Sequence, residues 1–177
     1  MDVVPIRLAT GALLVLVLAV VATPALGSAA GPTPNQIKSA VHSAERSKHL
    51  WATINVCDTH KHPRTIGIRG EVPALGFPAT ISISIGVDFW SKADKRFEPD
   101  PQASRMIKVG PVSHGIHQRG VTFQFAAHTG RLRGTARFSW TRRGKVLGTT
   151  KRVTTPRHHD ADFGDPSGFS AATCRIK

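Results

Sequence analysis

The sequence predicts a mainly β protein, an antiparallel β-sandwich of the immunoglobulin-like type with a short N-terminal α-helix. The clearest indication is residues 80–90, where Ile81, Ile83 and Ile85 alternate with polar side chains, as in a strand with one buried face. Several further segments have the same period of two and are separated by Gly and Pro residues. Short strands at this spacing are typical of two packed antiparallel sheets, with a closed barrel as the alternative.

Composition sets the class of protein before any motif is considered. The chain has 177 residues, 24 Lys and Arg against 11 Asp and Glu, and a formal net charge of +13. A hydrophobic content of 40% excludes a disordered chain, and its length suits one domain with a short appendage. We therefore expect one strongly basic globular domain.

Residues 1–27 have the pattern of a secretory signal peptide. Arg7 precedes an apolar run from Leu8 to Val21, and Pro24 and several small residues follow it. The run is short for a membrane span, so cleavage is favoured over an uncleaved anchor. No later segment is apolar enough to span a membrane, and we expect an exported protein.

Residues 28–48 are expected to form a linker and a short amphipathic helix. Thr33, Pro34 and Gln36 have the spacing of a capping box with Pro at the first helical position. Ile37, Ala40, Val41 and Ala44 then repeat at helical spacing. The sequence predicts a helix over residues 34–47.

Residues 49–177 are expected to form the β-sandwich domain. Strands are predicted at residues 50–57, 66–72, 80–90, 105–110, 119–127, 131–141, 145–154 and 170–176. Turns between paired strands are predicted at His128–Gly130 and Arg142–Gly144. Residues 92–104 and 156–170 are expected to be long irregular segments, with the prolines at 99, 101 and 111 between strands.

The chain has two cysteines, Cys57 and Cys174. In an oxidising compartment a pair so far apart favours a disulfide, which would stabilise the fold by about 4 to 5 kcal/mol. A reactive thiol or a metal ligand is the alternative for these side chains.

Two segments concentrate side chains that bind metal ions. The candidate ligands are His60, His62, His158, His159, Asp160 and Asp162. Imidazole and carboxylate groups bind divalent cations, and extended backbone directs His60 and His62 to the same side. The alternative is that these are exposed residues in polar turns, since no known metal-binding motif is present.

Catalytic motifs are absent from the sequence. We find no GxSxG, no SxxK and no HExxH spacing, and we assign no catalytic residue and no cofactor. Trp51, Trp90 and Trp140 are candidates for stacking on sugars, but packing within the sheets is the favoured role.

Basic residues form the strongest non-random pattern. Nine basic residues and no acidic residue lie between Arg131 and Arg157. The candidate polyanion-binding residues are Arg131, Arg133, Arg137, Arg142, Arg143 and Lys145. The first three share one strand face and are expected to face solvent, where they would hold an anionic polymer. The alternative is a solvated strand face that resists edge pairing, and nucleic acid is disfavoured as a partner of an exported protein.

Short motifs carry a resemblance to a known group of proteins. The matching pieces are Leu50–Asp58, His62–Pro63, Thr65–Gly70, Leu132–Gly134, Phe138–Trp140 and Phe169–Cys174. They resemble a family of uncharacterised secreted β-rich proteins of GC-rich actinobacteria. The resemblance implies a signal peptide, a β-rich domain and a cysteine pair, and it implies no activity or ligand.

These patterns lead to one functional expectation. We expect a secreted, non-catalytic binding or surface-interaction module, with anionic envelope polymers as the candidate ligand. The alternatives are a metal-binding extracellular protein that uses its histidine-rich loops, or an unrecognised hydrolase.

Overall fold

The computed structural model describes residues 31–126 and 130–177. The chain from Pro32 to Lys177 forms one compact unit. The expected signal peptide at residues 1–27 lies outside the described residues. In the described part of the chain, no helix is long and apolar enough to cross a membrane.

The single described helix, α1, runs from Pro34 to Glu45, close to its predicted bounds. It begins with the predicted capping box, in which Thr33 Oγ1 accepts a hydrogen bond from the Gln36 amide and the Gln36 side chain accepts one from the Thr33 amide. Both contacts satisfy amides that a helix otherwise leaves without a partner. Val41 and Ala44 are buried, and through them the helix packs against the sheets.

Eight strands follow the helix: β1 (Trp51–Cys57), β2 (Thr65–Pro73), β3 (Ala79–Ser91), β4 (Arg96–Val112), β5 (Ile116–Gln124), β6 (Gly130–Arg142), β7 (Lys145–Val153) and β8 (Thr173–Ile176). They form a three-stranded sheet in the order β1-β2-β5 and a five-stranded sheet in the order β4-β3-β6-β7. The short strand β8 pairs with the first residues of β6. All the strand pairs within these two sheets are antiparallel.

The two sheets pack against each other around one hydrophobic core. Ile83 and Phe138 of the five-stranded sheet and Ile54 and Ile68 of the three-stranded sheet are fully buried. The sheets approach so closely at Gly70 that a Cβ atom there would lie 3.0 Å from Cζ of Phe138. The expected mainly β fold with two antiparallel sheets and one short helix is confirmed, and the immunoglobulin-like subtype stays a prediction.

The segment expected to be an irregular loop at residues 92–104 is instead mostly strand, because β4 begins at Arg96. The placement of Pro99, Pro101 and Pro111 between strands is wrong, since all three lie within β4. The reason is that β4 is an edge strand whose one partner is β3. An edge strand tolerates proline because the backbone groups along its outer side have no partner strand, so a missing amide there costs no hydrogen bond between strands.

The two predicted turns have different outcomes. Arg143 and Gly144 join β6 to β7, and both have left-handed φ angles, 49° and 77°, as in a two-residue type I′ hairpin. The turn expected at His128–Gly130 does not join paired strands, because β5 pairs with β2 and β6 pairs with β3. The turn itself falls on residues 127–129, which lie outside the described part of the chain.

The irregular C-terminal segment, residues 154–172, covers the side of the three-stranded sheet that faces away from the core. The Thr155 amide donates to the Ala52 carbonyl at 2.8 Å, along the free edge of β1. On the outward face, Asn55 Nδ2 donates to the Asp162 carbonyl at 2.8 Å. The segment therefore buries β1 on its outward face as well as on its core face.

The predicted disulfide between Cys57 and Cys174 is present. Cys57 ends β1 in the three-stranded sheet, whereas Cys174 lies in β8 of the five-stranded sheet. The bond therefore links the two sheets near the C-terminal end of the chain.

Candidate functional site

Strand β6 places the predicted basic residues on the outer face of the five-stranded sheet, the face opposite to the core. Leu132, Phe138 and Trp140 point into the core and are almost fully buried. Because successive side chains alternate along a strand, Arg131 and Arg137 lie on the outer face, and both are exposed. The sheet thus separates an apolar inner face from a cationic outer one.

Arg133 differs from these two arginines. Asp88 of β3 lies directly opposite it in the sheet register, and the Arg133 guanidinium donates to Asp88 Oδ2 at 2.6 Å. The Asp88 side chain is 6% exposed and the Arg133 side chain 28% exposed, so this ion pair is largely shielded from water. The expectation that all three arginines face solvent is therefore wrong for Arg133, because a buried acid on the neighbouring strand engages it.

Pairs of like charges face each other across the β6 ladders. Arg137 is opposite Lys151 of β7, and Arg131 is opposite Arg175 of β8. A third pair, Arg142 and Lys145, flanks the hairpin turn, but it lies on the opposite face, because Arg142 has the same strand parity as the buried Trp140. None of these six side chains forms an ion pair within residues 31–126 and 130–177. Like charges directly opposite each other in a sheet are destabilising, so the fold itself gains nothing from this arrangement.

Small hydroxyl side chains fill the outer face between the cations. Lys108 of β4, Ser82 of β3, Ser139 of β6 and Thr149 of β7 lie in one row across four strands. The adjacent row holds Met106, Ser84, Arg137 and Lys151. Met106 is 70% exposed, which shows that this part of the face is open to solvent. The side chains present both cations and hydroxyl donors to an oxygen-rich ligand.

The β6–β7 hairpin holds the remaining predicted cations, and two of them, Arg142 and Lys145, have the strand parity of the inner face. Arg142 lies 5.7 Å over the ring of Phe77, while Arg143 and Lys145 are exposed at the turn. A shallow depression of about 330 Å³ adjoins the hairpin, and its lining includes Thr80, Thr141, Arg142 and Arg143. Arg143 thus adjoins the outer face, whereas Lys145 lies beside α1, and the prediction that all six cations share one surface is wrong for Arg142 and Lys145.

The C-terminal candidates for metal binding contact protein groups. The His158 ring stacks on Trp51 with centroids 4.3 Å apart, and His158 Nε2 lies 3.0 Å from Thr155 Oγ1. His159 Nδ1 lies 2.7 Å from the Gly168 carbonyl oxygen. Burial lowers the pKa of His158 from its ordinary value of 6.5, and nearby Asp160 acts in the opposite direction. Asp160 and Asp162 are exposed.

The second group of metal candidates follows β1. His60 is exposed, and His62 Nε2 lies 3.9 Å from Asp165 Oδ2. Asp165 also accepts a hydrogen bond from the Thr59 hydroxyl. Among the residues that the structure describes, no three His, Cys, Asp or Glu side chains come together as metal ligands. Metal binding therefore stays a prediction that this geometry does not support.

A buried carboxylate was not singled out from the sequence. Glu71 of β2 is 3% exposed and lies under the C-terminal segment. Its Oε1 atom lies 2.9 Å from both His49 Nδ1 and Trp51 Nε1, and its Oε2 atom accepts from Gln118 Nε2 at 2.9 Å. A charged group is tolerated in such a position because its hydrogen bonds are satisfied. No local pattern marks Glu71, since its burial depends on a segment far away along the chain.

Cations of the outer face were also missed by sequence reasoning. Arg175 belongs to the face because β8 pairs with β6, and Lys108 belongs to it because β4 is a neighbour of β3. Lys151 was counted among the basic residues but was not selected as a site residue. The alternation of each strand was visible in the sequence, but the register between strands was not.

Comparison with known proteins assigns neither a family nor a function to the chain. The chain matches no protein-family model, and neither the curated proteins nor the solved structures include a significant match to it.

Proposed function

We propose that this protein is a secreted, non-catalytic binding module that holds anionic polymers of the cell envelope on the outer face of its five-stranded sheet. The observation that carries the proposal is a set of two like-charge pairs along β6 on this outer face. These are Arg131 with Arg175 and Arg137 with Lys151.

The energetic argument concerns what such pairs do in the absence of a ligand. Each directly opposed pair of like charges costs about 0.2–1 kcal/mol of folding free energy. An anion bound between the two cations turns that repulsion into attraction and releases condensed counterions from the polymer. The arrangement is thus unfavourable for the isolated protein and favourable for a complex with a polyanion.

The spacing of the pairs suits a polymer better than a small anion. Arg137 lies six residues beyond Arg131 on β6, which corresponds to about 20 Å of extended strand. This distance exceeds the Debye length of about 10 Å at 0.1 M ionic strength. One small anion therefore contacts one pair at a time, whereas an extended chain contacts both pairs together and gains avidity.

Arg133 has a supporting role in this proposal. Its ion pair with Asp88 holds its charge within the sheet, so it contributes less to ligand binding than its exposed neighbours Arg131 and Arg137. Replacing Arg133 is expected to impair folding, because Asp88 would be left as an uncompensated buried charge. For this reason it is a poor choice for a binding test.

The experiment measures retention of the purified protein on isolated bacterial envelope and on immobilised inorganic polyphosphate across a salt series. The test variant combines Arg137→Ser with Lys151→Ser, which removes one opposed pair. The matched control combines Lys38→Ser with Lys48→Ser. It lowers the net charge equally, but its residues lie in and after α1, away from the outer face.

Wild-type retention is expected to weaken steeply as salt increases, as for other charge-driven complexes. The test variant is expected to bind more weakly and with a shallower salt dependence, and the control to behave like the wild type. Absence of retention at low salt would overturn the proposal. Equal losses in the test and control variants would show that net charge alone, and not this face, is responsible.

A further inference from the structure

Aromatic rings and guanidinium groups meet at one end of the same outer face. Trp90 of β3 and Phe97 of β4 are partners in the sheet register, and their rings meet edge to face with centroids 5.1 Å apart. Arg131 and Arg133 reach these rings from β6. We call these four residues, Trp90, Phe97, Arg131 and Arg133, the aromatic–arginine platform.

Exposure distinguishes Trp90 from the other tryptophans of the chain. Trp51 is 5% exposed and Trp140 is fully buried, whereas Trp90 is 36% exposed. Burial of a large aromatic side chain is strongly favourable, so an indole left partly in water provides apolar surface that a ligand can cover.

The two arginines of the platform differ in whether an acidic side chain already pairs with them. The Arg133 guanidinium lies 4.4 Å from the Phe97 ring centroid and is engaged by Asp88. The Arg131 guanidinium lies 5.9 Å from the Trp90 centroid and 5.5 Å from the Phe97 centroid, and no acidic side chain within the described residues pairs with it. Contact with the rings holds this cation beside the exposed indole.

We infer that the aromatic–arginine platform binds the charged sugar units of an anionic polysaccharide, an inference that rests on the proposed function. The C–H face of a sugar ring is apolar and packs on an indole ring, as other apolar groups do. A carboxylate on that sugar is placed to accept paired hydrogen bonds from the Arg131 guanidinium, whose planar fork matches its geometry. A polymer without sugar rings uses only the cations.

The position of Arg131 connects the platform to the rest of the face. Arg131 belongs to the platform and also opposes Arg175 across the β6–β8 ladder. From there β6 leads to the Arg137–Lys151 pair, about 20 Å along the strand. A polysaccharide anchored at Trp90 therefore continues over the second cation pair, which favours a polymer over a single sugar.

The experiment compares polygalacturonate, whose sugar rings each carry a carboxylate, with inorganic polyphosphate at equal concentration of charged groups. Affinities are measured at one fixed salt concentration for the wild type, for Trp90→Ala and for a control, Phe163→Ala. Phe163 is an exposed aromatic residue, but it lies in the C-terminal segment beside the three-stranded sheet, away from the outer face.

We expect the wild type to bind polygalacturonate more tightly than polyphosphate. Trp90→Ala is expected to weaken polygalacturonate binding about two- to tenfold, the range for loss of one aromatic contact. Its affinity for polyphosphate should stay within about twofold of the wild type, since the charges are retained. Phe163→Ala should leave both affinities unchanged.

A second measurement needs no substitution and so does not depend on the folding of a variant. Trp51 and Trp140 are buried, so acrylamide quenching of tryptophan fluorescence in the wild-type protein reports mainly on Trp90. Polygalacturonate should protect this fluorescence from acrylamide, and polyphosphate should protect it less.

Two results would overturn the inference in distinguishable ways. If both polymers bind equally and neither protects Trp90, the platform has no sugar preference, while the proposed polyanion function stands. If neither polymer binds at low salt, the proposed function fails together with the inference.

Discussion

The opposition of Lys151 to Arg137 makes a quantitative prediction about stability. Two unit charges about 7 Å apart in an effective dielectric of about 80 repel by about 0.6 kcal/mol, within the range for directly opposed strand residues. Lys151→Glu removes this repulsion and adds an attraction of similar size. We therefore expect the free energy of unfolding to rise by about 1 kcal/mol at low salt, equivalent to a melting temperature about 2–4 °C higher.

The assay is thermal unfolding of the wild type and Lys151→Glu at low and high salt, with Lys108→Glu as the matched control. Lys108 lies on the same face, but its cross-strand partner is Ser82, so reversing its charge relieves no direct repulsion. The stabilisation by Lys151→Glu should shrink at high salt because exposed charges are screened. Binding of Lys151→Glu to polyphosphate should weaken at the same time.

Two outcomes would refute this reasoning. Equal stabilisation by Lys151→Glu and Lys108→Glu would mean that the gain comes from lower net charge and not from the opposed pair. A gain that persists undiminished at high salt would mean that it is not electrostatic.

Two further predictions concern the polar cluster under the C-terminal segment. Glu71→Gln should lower the free energy of unfolding by about 1–3 kcal/mol in urea denaturation. One of the groups that donate a hydrogen bond to Glu71 would then face the NH₂ group of glutamine, which cannot accept it. The control, Glu98→Gln, affects a surface ion pair with Arg96 and should change the free energy of unfolding by less than about 0.5 kcal/mol. If Glu71→Gln and Glu98→Gln destabilise the protein equally, the argument is wrong. The folded state lowers the pKa of His158, so the unfolded state binds more protons and stability should fall as pH drops below about 6.5. That fall should be smaller in His158→Gln than in the wild type or the control His114→Gln, and identical pH profiles would show that His158 does not contribute.

Local features of the fold were predictable because they depend on neighbouring residues. The capping box of α1 needs only Thr33, Pro34 and Gln36, and the hairpin turn needs only a residue pair such as Arg143 and Gly144. Strand β3 was equally clear, since alternation is a property of each strand by itself. The long β4 was not predicted, because its prolines are acceptable only at a sheet edge, and the order of strands is not a local property.

In the candidate site, too, local features were predictable from the sequence and long-range ones were not. The sequence indicated that Arg131 and Arg137 share an outward face, and the structure agrees. It did not indicate that Arg133 meets Asp88, nor that Arg175 joins the cationic face, because both facts depend on register between distant segments. The opposed cations are the main argument for polyanion binding, and they could be identified only from the register of the paired strands.

The sequence by itself determined the β-rich class, the first helix, the pairing of Cys57 with Cys174 and the excess of positive charge. These follow from periodicity, capping, cysteine number and composition. Only the tertiary structure decided which charges oppose one another, that Glu71 is buried, and that Trp90 stays partly exposed. The physical reason is that burial and cross-strand contact are set by long-range packing of whole strands, whose order and register no short stretch of residues encodes.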